Sequence, residues 1–237
     1  PAALVDNTRY YWRVRAEDAF VAGPYTAACS FFLNTVNEAP GTPTVNAPAD
    51  RTRVNVLRPT LVVNKTTDPD LDNLTYTFEI YSDAALSQLV SSQANVAAGA
   101  ATASWQVAVN LTEDRTYYWR ARAVDSNNLP GGWSATTSLF VNTANTAPQP
   151  PAIVSPQNGT IATVIRPELV ALNASDVDQD TLTYDWAIAR DAAFGQIVDS
   201  ANGVASNGPV SNRFVLAANL LEDTQYCWRV RANDGQA

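Results

Sequence analysis

The sequence predicts an all-β chain built from tandem β-sandwich domains, one complete and two partial. Three observations predict it. One strand-like stretch occurs three times, as LVDNTRYYWRVRAED from Leu4, LTEDRTYYWRARAVD from Leu111 and LLEDTQYCWRVRAND from Leu220. The central tryptophans, Trp12, Trp119 and Trp228, lie 107 and then 109 residues apart, the length of a small all-β domain rather than of a short solenoid repeat. Within the middle copy Tyr117, Trp119, Ala121 and Ala123 alternate with Tyr118, Arg120 and Arg122, a period of two that makes a strand with one buried face.

Each copy also carries a leucine six residues before a tyrosine: Leu4 and Tyr10, Leu111 and Tyr117, Leu220 and Tyr226. This spacing resembles the fibronectin type III family, in which a leucine and a tyrosine corner mark the entry to strand F. The resemblance continues into a strand G opening at Gly132-Trp133-Ser134, matched by Pro24-Tyr25-Thr26. It implies an Ig-like (fibronectin type III-like) sandwich, and the remaining strands fall on that template in matching order. Arg58–Val63 and Arg166–Ala171 read as strand B. Leu74–Ile80 and Leu182–Ile188 read as strand C, with Phe78 and Trp186 on the buried side, and Ser104–Val107 and Arg213–Leu216 as strand E. Asn158-Gly159, Asn202-Gly203 and Asn207-Gly208 favour the positive φ of tight turns between strands.

Between repeats the chain becomes proline-rich, at Asn34–Pro43 and again at Asn142–Pro151, and short proline linkers act as semi-rigid spacers. Residues 1–36 then hold strands F and G of a first repeat, 37–145 a complete repeat, and 146–237 a third repeat lacking its last strand. A lone F–G hairpin has no core in water, so something must complete the first repeat. Two explanations stand: a window from a longer tandem array, as the start at Pro1 and the lack of methionine also suggest, or strand exchange between subunits.

The totals exclude several function classes. Hydrophobic residues make up 46% of the chain and charged ones 16%, which suits packed cores rather than a disordered tail. A net charge of −8 argues against nucleic acid or an anionic membrane as partner and favours divalent cations. Histidine is absent, which removes the usual general base and zinc ligand and argues against an enzyme. Two cysteines without a CxxC provide neither a disulfide scaffold nor a zinc knuckle. No apolar run approaches the ~18 residues of a membrane span.

Two acidic stretches carry the candidate chemistry, Asp68-Pro-Asp70-Leu-Asp72 and Asp176-Val-Asp178-Gln-Asp180, each between strands B and C. Carboxylates spaced by two in a turn can converge, and their repulsion falls when a hard cation binds, calcium being the natural one. An EF-hand does not fit: its sixth-position glycine is Asn73 or Thr181, and its twelfth-position glutamate is Glu79 in one copy but Ala187 in the other. In a type III-like sandwich, loops BC and FG share the pole where the chain enters. That pole would gather Asp68, Asp70, Asp72, Asp125, Asn37 and Glu38 in one repeat, and Asp176, Asp178, Asp180, Asp234 and Asn145 in the next.

The Asn-x-Ala-Pro linkers and DxD loops resemble the junctions of cadherins and bacterial cadherin-like repeats, which implies calcium between domains; Thr146 replaces the acid at Glu38, and the Asp-Arg-Glu motif is missing. The competing reading is plain turn chemistry, in which each aspartate bonds its own backbone.

Other features point less far. Arg120 and Arg122 beside Trp133, and Arg13 and Arg15 beside Tyr25, predict cation–π layers that resemble half of the cytokine-receptor WSxWS ladder; exposed aromatics serve equally for sugars. Cys29 and Cys227 have a whole repeat between them, so Cys227 either pairs with a strand G beyond Ala237 or is a free thiol. Five N-x-S/T triplets, at Asn64, Asn73, Asn110, Asn158 and Asn173, are weak signs of secretion in a chain so rich in Asn and Thr. The expected role is a structural, non-catalytic segment of an extracellular or cell-surface protein or fibre. Its expected partners are neighbouring repeats or subunits, with surface glycans or proteins as further candidates. The alternative is a carbohydrate- or protein-binding accessory region of a secreted enzyme.

Overall fold

The computed structural model describes residues 3–236. Among these residues the regular elements are all β-strands, and no helix is long and apolar enough to cross a membrane. The chain divides into two compact units, Pro1–Thr143 and Ala144–Ala237, so the first hairpin is grouped with the repeat that follows it.

The first unit opens with β1 (Thr8–Trp12) and β2 (Cys29–Leu33), an antiparallel hairpin in register from Thr8↔Leu33 to Trp12↔Cys29. A complete sandwich follows: β3 (Thr44–Ala47), β4 (Thr52–Val54), β5 (Thr60–Asn64), β6 (Thr75–Tyr81), β7 (Leu89–Ala97), β8 (Thr102–Gln106), β9 (Arg115–Val124) and β10 (Thr137–Val141). One sheet runs β3-β5-β8 and the other β4-β10-β9-β6-β7. The chain changes sheet between β3 and β4, and β4 then lies parallel to β10, with Thr52 opposite Leu139.

The core lies between the two sheets. Alternation along β9 buries Tyr117, Trp119, Ala121 and Ala123 and leaves Tyr118, Arg120 and Arg122 on the outer face. Opposite them, Leu61 and Val63 of β5 and Ala103 and Trp105 of β8 close the interior. Phe78 is the central ring, 6.2 Å from Trp105 and 6.5 Å from Trp119 between centroids, within the range where offset aromatic pairs attract.

The second unit repeats the plan with fewer strands: β11 (Ile153–Ser155), β12 (Glu168–Leu172), β13 (Thr183–Ala189), β14 (Ile197–Ala205), β15 (Ser211–Val215) and β16 (Cys227–Asn233). Its sheets are β11-β12-β15 and β14-β13-β16. Trp186 takes the place of Phe78 and stacks 6.0 Å from both Phe214 and Trp228. Among the described residues nothing pairs with the second edge of β16. Beside it runs a groove of about 1030 Å³ lined by Ile161, Val164, Ile165, Leu220, Tyr226 and Trp228.

All three repeats turn the same corner into strand F. Tyr10, Tyr117 and Tyr226 accept hydrogen bonds at their hydroxyls from the backbone N–H of Val5 (2.6 Å), Thr112 (2.8 Å) and Leu221 (3.0 Å). Asn7, Asp114 and Asp223 stand in the left-handed region at this corner, at φ 51, 55 and 51°. Two expected turns are corrected: Asn207-Gly208 lies between β14 and β15 but neither residue takes a positive φ, and the other lies within a strand. Asn202-Gly203 lies inside β14, where Gly203 at φ 65° forms a bulge opposite β13 and donates its N–H to Asp185 Oδ1 at 2.8 Å. The matching residue of β7, Asn95, adopts φ 58° at the same irregularity.

Candidate cation-binding poles

Each acidic loop folds as the same turn. In the first, the Asp68 carbonyl accepts the Leu71 N–H at 3.2 Å, Asp68 Oδ1 accepts the Asp70 N–H at 2.8 Å, and Leu71 takes φ 65°. In the second, the Asp176 carbonyl accepts the Gln179 N–H at 3.4 Å, Asp176 Oδ1 accepts the Asp178 N–H at 2.7 Å, and Gln179 takes φ 62°. Turn chemistry therefore accounts for one oxygen of each leading aspartate.

The middle aspartate holds the entering linker. Asp70 Oδ2 accepts the Glu38 N–H at 2.7 Å, and Asp178 Oδ2 accepts the Thr146 N–H at 2.5 Å. Because the donor is backbone, glutamate and threonine serve equally at that position. Three residues further on, the Gly41 N–H donates to the Thr67 carbonyl at 3.0 Å and the Gln149 N–H to the Ser175 carbonyl at 2.9 Å. Gly41 and the Gly131-Gly132 pair allow the close approach: a Cβ on Gly131 would lie 2.3 Å from the Pro40 carbonyl oxygen.

The aspartate after each F strand fixes the linker asparagine. Asn37 donates from Nδ2 to Asp125 Oδ2 at 2.7 Å, and Asn145 to Asp234 Oδ2 at 2.8 Å. The other oxygen caps its own loop: Asp125 Oδ1 accepts the N–H of Asn127 (2.9 Å) and Leu129 (2.7 Å), and Asp234 Oδ1 that of Gln236 (2.9 Å). Burial pushes the Asp125 carboxyl up, but the Asn37 amide and the Leu129 and Asn127 N–H groups outweigh it and hold the group below its ordinary value. The Asn145 amide, followed by the Gln236 N–H, does the same for Asp234.

What remains is a set of oxygens without donors. Asp68 and Asp70 are each 6% exposed, yet Asp68 Oδ2 and Asp70 Oδ1 are buried with no hydrogen-bond partner. Carboxylate oxygens of Asp68, Asp70 and Asp72 approach to within 4.8 Å of one another, as do those of Asp176, Asp178 and Asp180. Asp176 Oδ2 is likewise buried without a donor. Negative oxygens turned inward with nothing to neutralise them are costly, and a hard cation is the ligand that such a set fits.

The carboxylates of Asp125, Glu38 and Asp234 fall outside these convergent trios, and Asn37 and Asn145 meet the poles through Asp125 and Asp234. Two further residues reach the first pole. Asn127 donates from Nδ2 to Asn37 Oδ1 and to Asp72 Oδ2 (3.4 Å), and Asn7 donates from Nδ2 to Glu38 Oε2 at 2.9 Å. The position of Asn127, two residues after the loop aspartate, was the one sequence signal for it.

The arginine layers stand where the spacing places them. Arg120 and Arg122 lie over the Trp133 ring at 4.1 and 4.4 Å, and Arg13 and Arg15 over Tyr25 at 3.9 and 4.8 Å. Cys29 and Cys227 are both free thiols, and any partner beyond Ala237 lies outside the described residues.

No protein-family model matches the chain, and no curated protein does either. Among solved structures it is similar to a PKD domain of an M14-like peptidase from a Thermoplasmatales archaeon, at 25% identity over 45% of this chain and 99% of that one, with a TM-score of 0.30. It is similar to fibronectin(III)-like modules of Clostridium thermocellum CbhA, at 18% identity over 81% of this chain and 86% of that one, TM-score 0.30. It also resembles an alpha-L-rhamnosidase from Dictyoglumus thermophilum, at 12% identity over 82% of this chain and 25% of that one, TM-score 0.35.

Proposed function

We propose that the chain is a structural, non-catalytic tandem-repeat segment of an extracellular surface protein or fibre, in which each repeat fixes its entry linker beside a bound divalent cation. The observation that carries this reading is the recurring clasp. Linker Asn to loop aspartate, linker N–H to middle aspartate, and a convergent carboxylate trio occur in the same arrangement in both units. Calcium is the preferred ion. The donors are all oxygens on loops, which suits calcium's flexible coordination better than the strict octahedron of magnesium, and neither the nitrogen nor the sulfur that zinc favours is present. The partners in this reading are neighbouring repeats or subunits of the same protein.

Titration calorimetry tests it. The chain is expected to take up calcium, and a variant carrying Asp70→Asn and Asp178→Asn to take up far less; absence of binding by the parent chain rejects the cation.

A second reading, an accessory region of a secreted enzyme that grips polysaccharide or protein, is favoured by Trp133 and Tyr25 in the segments that lead into β10 and β2. Their rings are already covered by arginines, which leaves less open face for a sugar. Retention of the chain on insoluble glycans, lost in Trp133→Ala, would support this alternative over the fibre.

A further inference from the structure

We infer that Asn7, from the corner of the preceding repeat, is a further ligand of the cation in the first pole, so that this ion joins the β1–β2 hairpin to the complete sandwich. This rests on the cation reading above and goes beyond it. The site then spans two repeats, and the two poles are unequal.

Three observations meet here. Asn7 reaches the pole already, through its Nδ2 bond to Glu38 Oε2 at 2.9 Å, and the Glu38 backbone is in turn bonded to Asp70 at 2.7 Å. The remaining amide oxygen, Asn7 Oδ1, is buried with no donor, as are Asp68 Oδ2 and Asp70 Oδ1. One oxygen from each of two carboxylates more than nine-tenths buried and a neutral amide oxygen, all acceptors without donors, are the mixed oxygen set that calcium sites use. A hydrogen-bond network cannot satisfy them without adding donors, whereas a cation needs none, and Glu38 ties Asn7 to Asp70.

Taken within its own unit, the second pole carries a smaller acidic set. Thr146 replaces Glu38, and Asn145 and Thr146 are exposed where Asn37 and Glu38 are half-buried. The first pole therefore offers five acidic side chains, Asp68, Asp70, Asp72, Asp125 and Glu38, against four, Asp176, Asp178, Asp180 and Asp234, in the second. Ligand charge count is a main determinant of calcium affinity, so the first pole binds more tightly.

Asn7 stands at φ 51°, so Asn7→Gly removes the amide while keeping a backbone that glycine adopts freely, and Asn7→Asp supplies a carboxylate at a corner where the other repeats carry Asp114 and Asp223. The test uses the whole chain with Asp176→Asn and Asp178→Asn to silence the second pole, titrated with calcium by calorimetry. Hydrogen exchange of the β1 and β2 amides is followed with and without the ion.

Asn7→Gly is expected to weaken binding by about tenfold or more, and Asn7→Asp to strengthen it. Calcium is expected to slow exchange in Thr8–Trp12 and Cys29–Leu33, and this protection is expected to vanish in Asn7→Gly. Calcium binding and hairpin protection unchanged in Asn7→Gly would overturn the role of Asn7 while leaving the cation in place. No calcium uptake by the parent would overturn both. Should Asn7→Gly loosen the hairpin even without calcium, Asn7→Asp decides: tighter binding supports the assignment, and equal or weaker binding overturns it.

Discussion

Trp12, Trp119 and Trp228 occupy the same position in three copies of one strand, yet the first is 53% exposed, the second 0% and the third half-buried. Local sequence barely differs among them, so the difference comes from what packs around each. Trp119 has a full sandwich, with β10 beside its strand and the β3-β5-β8 sheet across the core. Trp228 has the facing sheet but no described strand at its outer edge; it stacks on Trp186 and donates its Nε1–H to the Pro156 carbonyl at 3.0 Å. Trp12 lies on a strand that, among the described residues, pairs with β2 alone. Alternation thus determines which side chains face inward, and neighbouring strands determine whether an inside exists.

Truncating these rings breaks the comparison most directly. Trp119→Ala should cost about 3–5 kcal/mol, as large aromatic deletions in closed cores do. Trp228→Ala should cost less and Trp12→Ala least, because a half-covered ring has less transfer free energy to lose. Urea denaturation followed by circular dichroism checks the order; equal costs at all three positions would show that the strand itself, rather than its surroundings, sets the energetics.

Gly131→Val probes the next tier, the close approach of strand and linker in the first unit. Its Cβ would meet the Pro40 carbonyl oxygen at 2.3 Å, and backbone cannot yield as a side chain can. An expected loss of about 1–3 kcal/mol follows from such overpacking, with faster hydrogen exchange at the Gly41 N–H that bonds Thr67.

The smallest expected effect is on pH dependence. The folded-state pKa of Asp125 is depressed, so its contribution is present above the ordinary value near 3.8 and is lost as pH falls through the lower folded value. Asp125→Asn should flatten the acid side of the stability curve relative to the parent, and acid titration by circular dichroism measures it. Asp234→Asn should flatten it less, since Asp234 is only half-buried where Asp125 is 4% exposed.

Much of the scaffold is legible in the sequence because β5, β6, β8 and β9 bury one face and alternate accordingly. The strands that escaped, β3, β4, β7, β11 and β14, lie at sheet edges, and none of their side chains is fully buried, so the core leaves little apolar signal in them. β4 is only three residues long and pairs with a strand over 80 positions away, and β14 hides its bulge behind an Asn-Gly that reads as a turn. The acidic trios were legible as repeated spacing. Their division of labour was not: which oxygen caps a turn, which holds the linker and which is left over depends on where the linker backbone passes. Asn7 was invisible for the same reason, since it reaches the pole only through the fold.

A calorimetric melt of the chain in calcium and in chelator tests the central claim most directly. At a calcium concentration a hundredfold above the dissociation constant, a site confined to the folded state adds about 2.7 kcal/mol. Melting should therefore rise by several degrees in calcium, and by much less in the chain carrying Asp70→Asn and Asp178→Asn. Superimposable melts of the parent with and without the ion would contradict it.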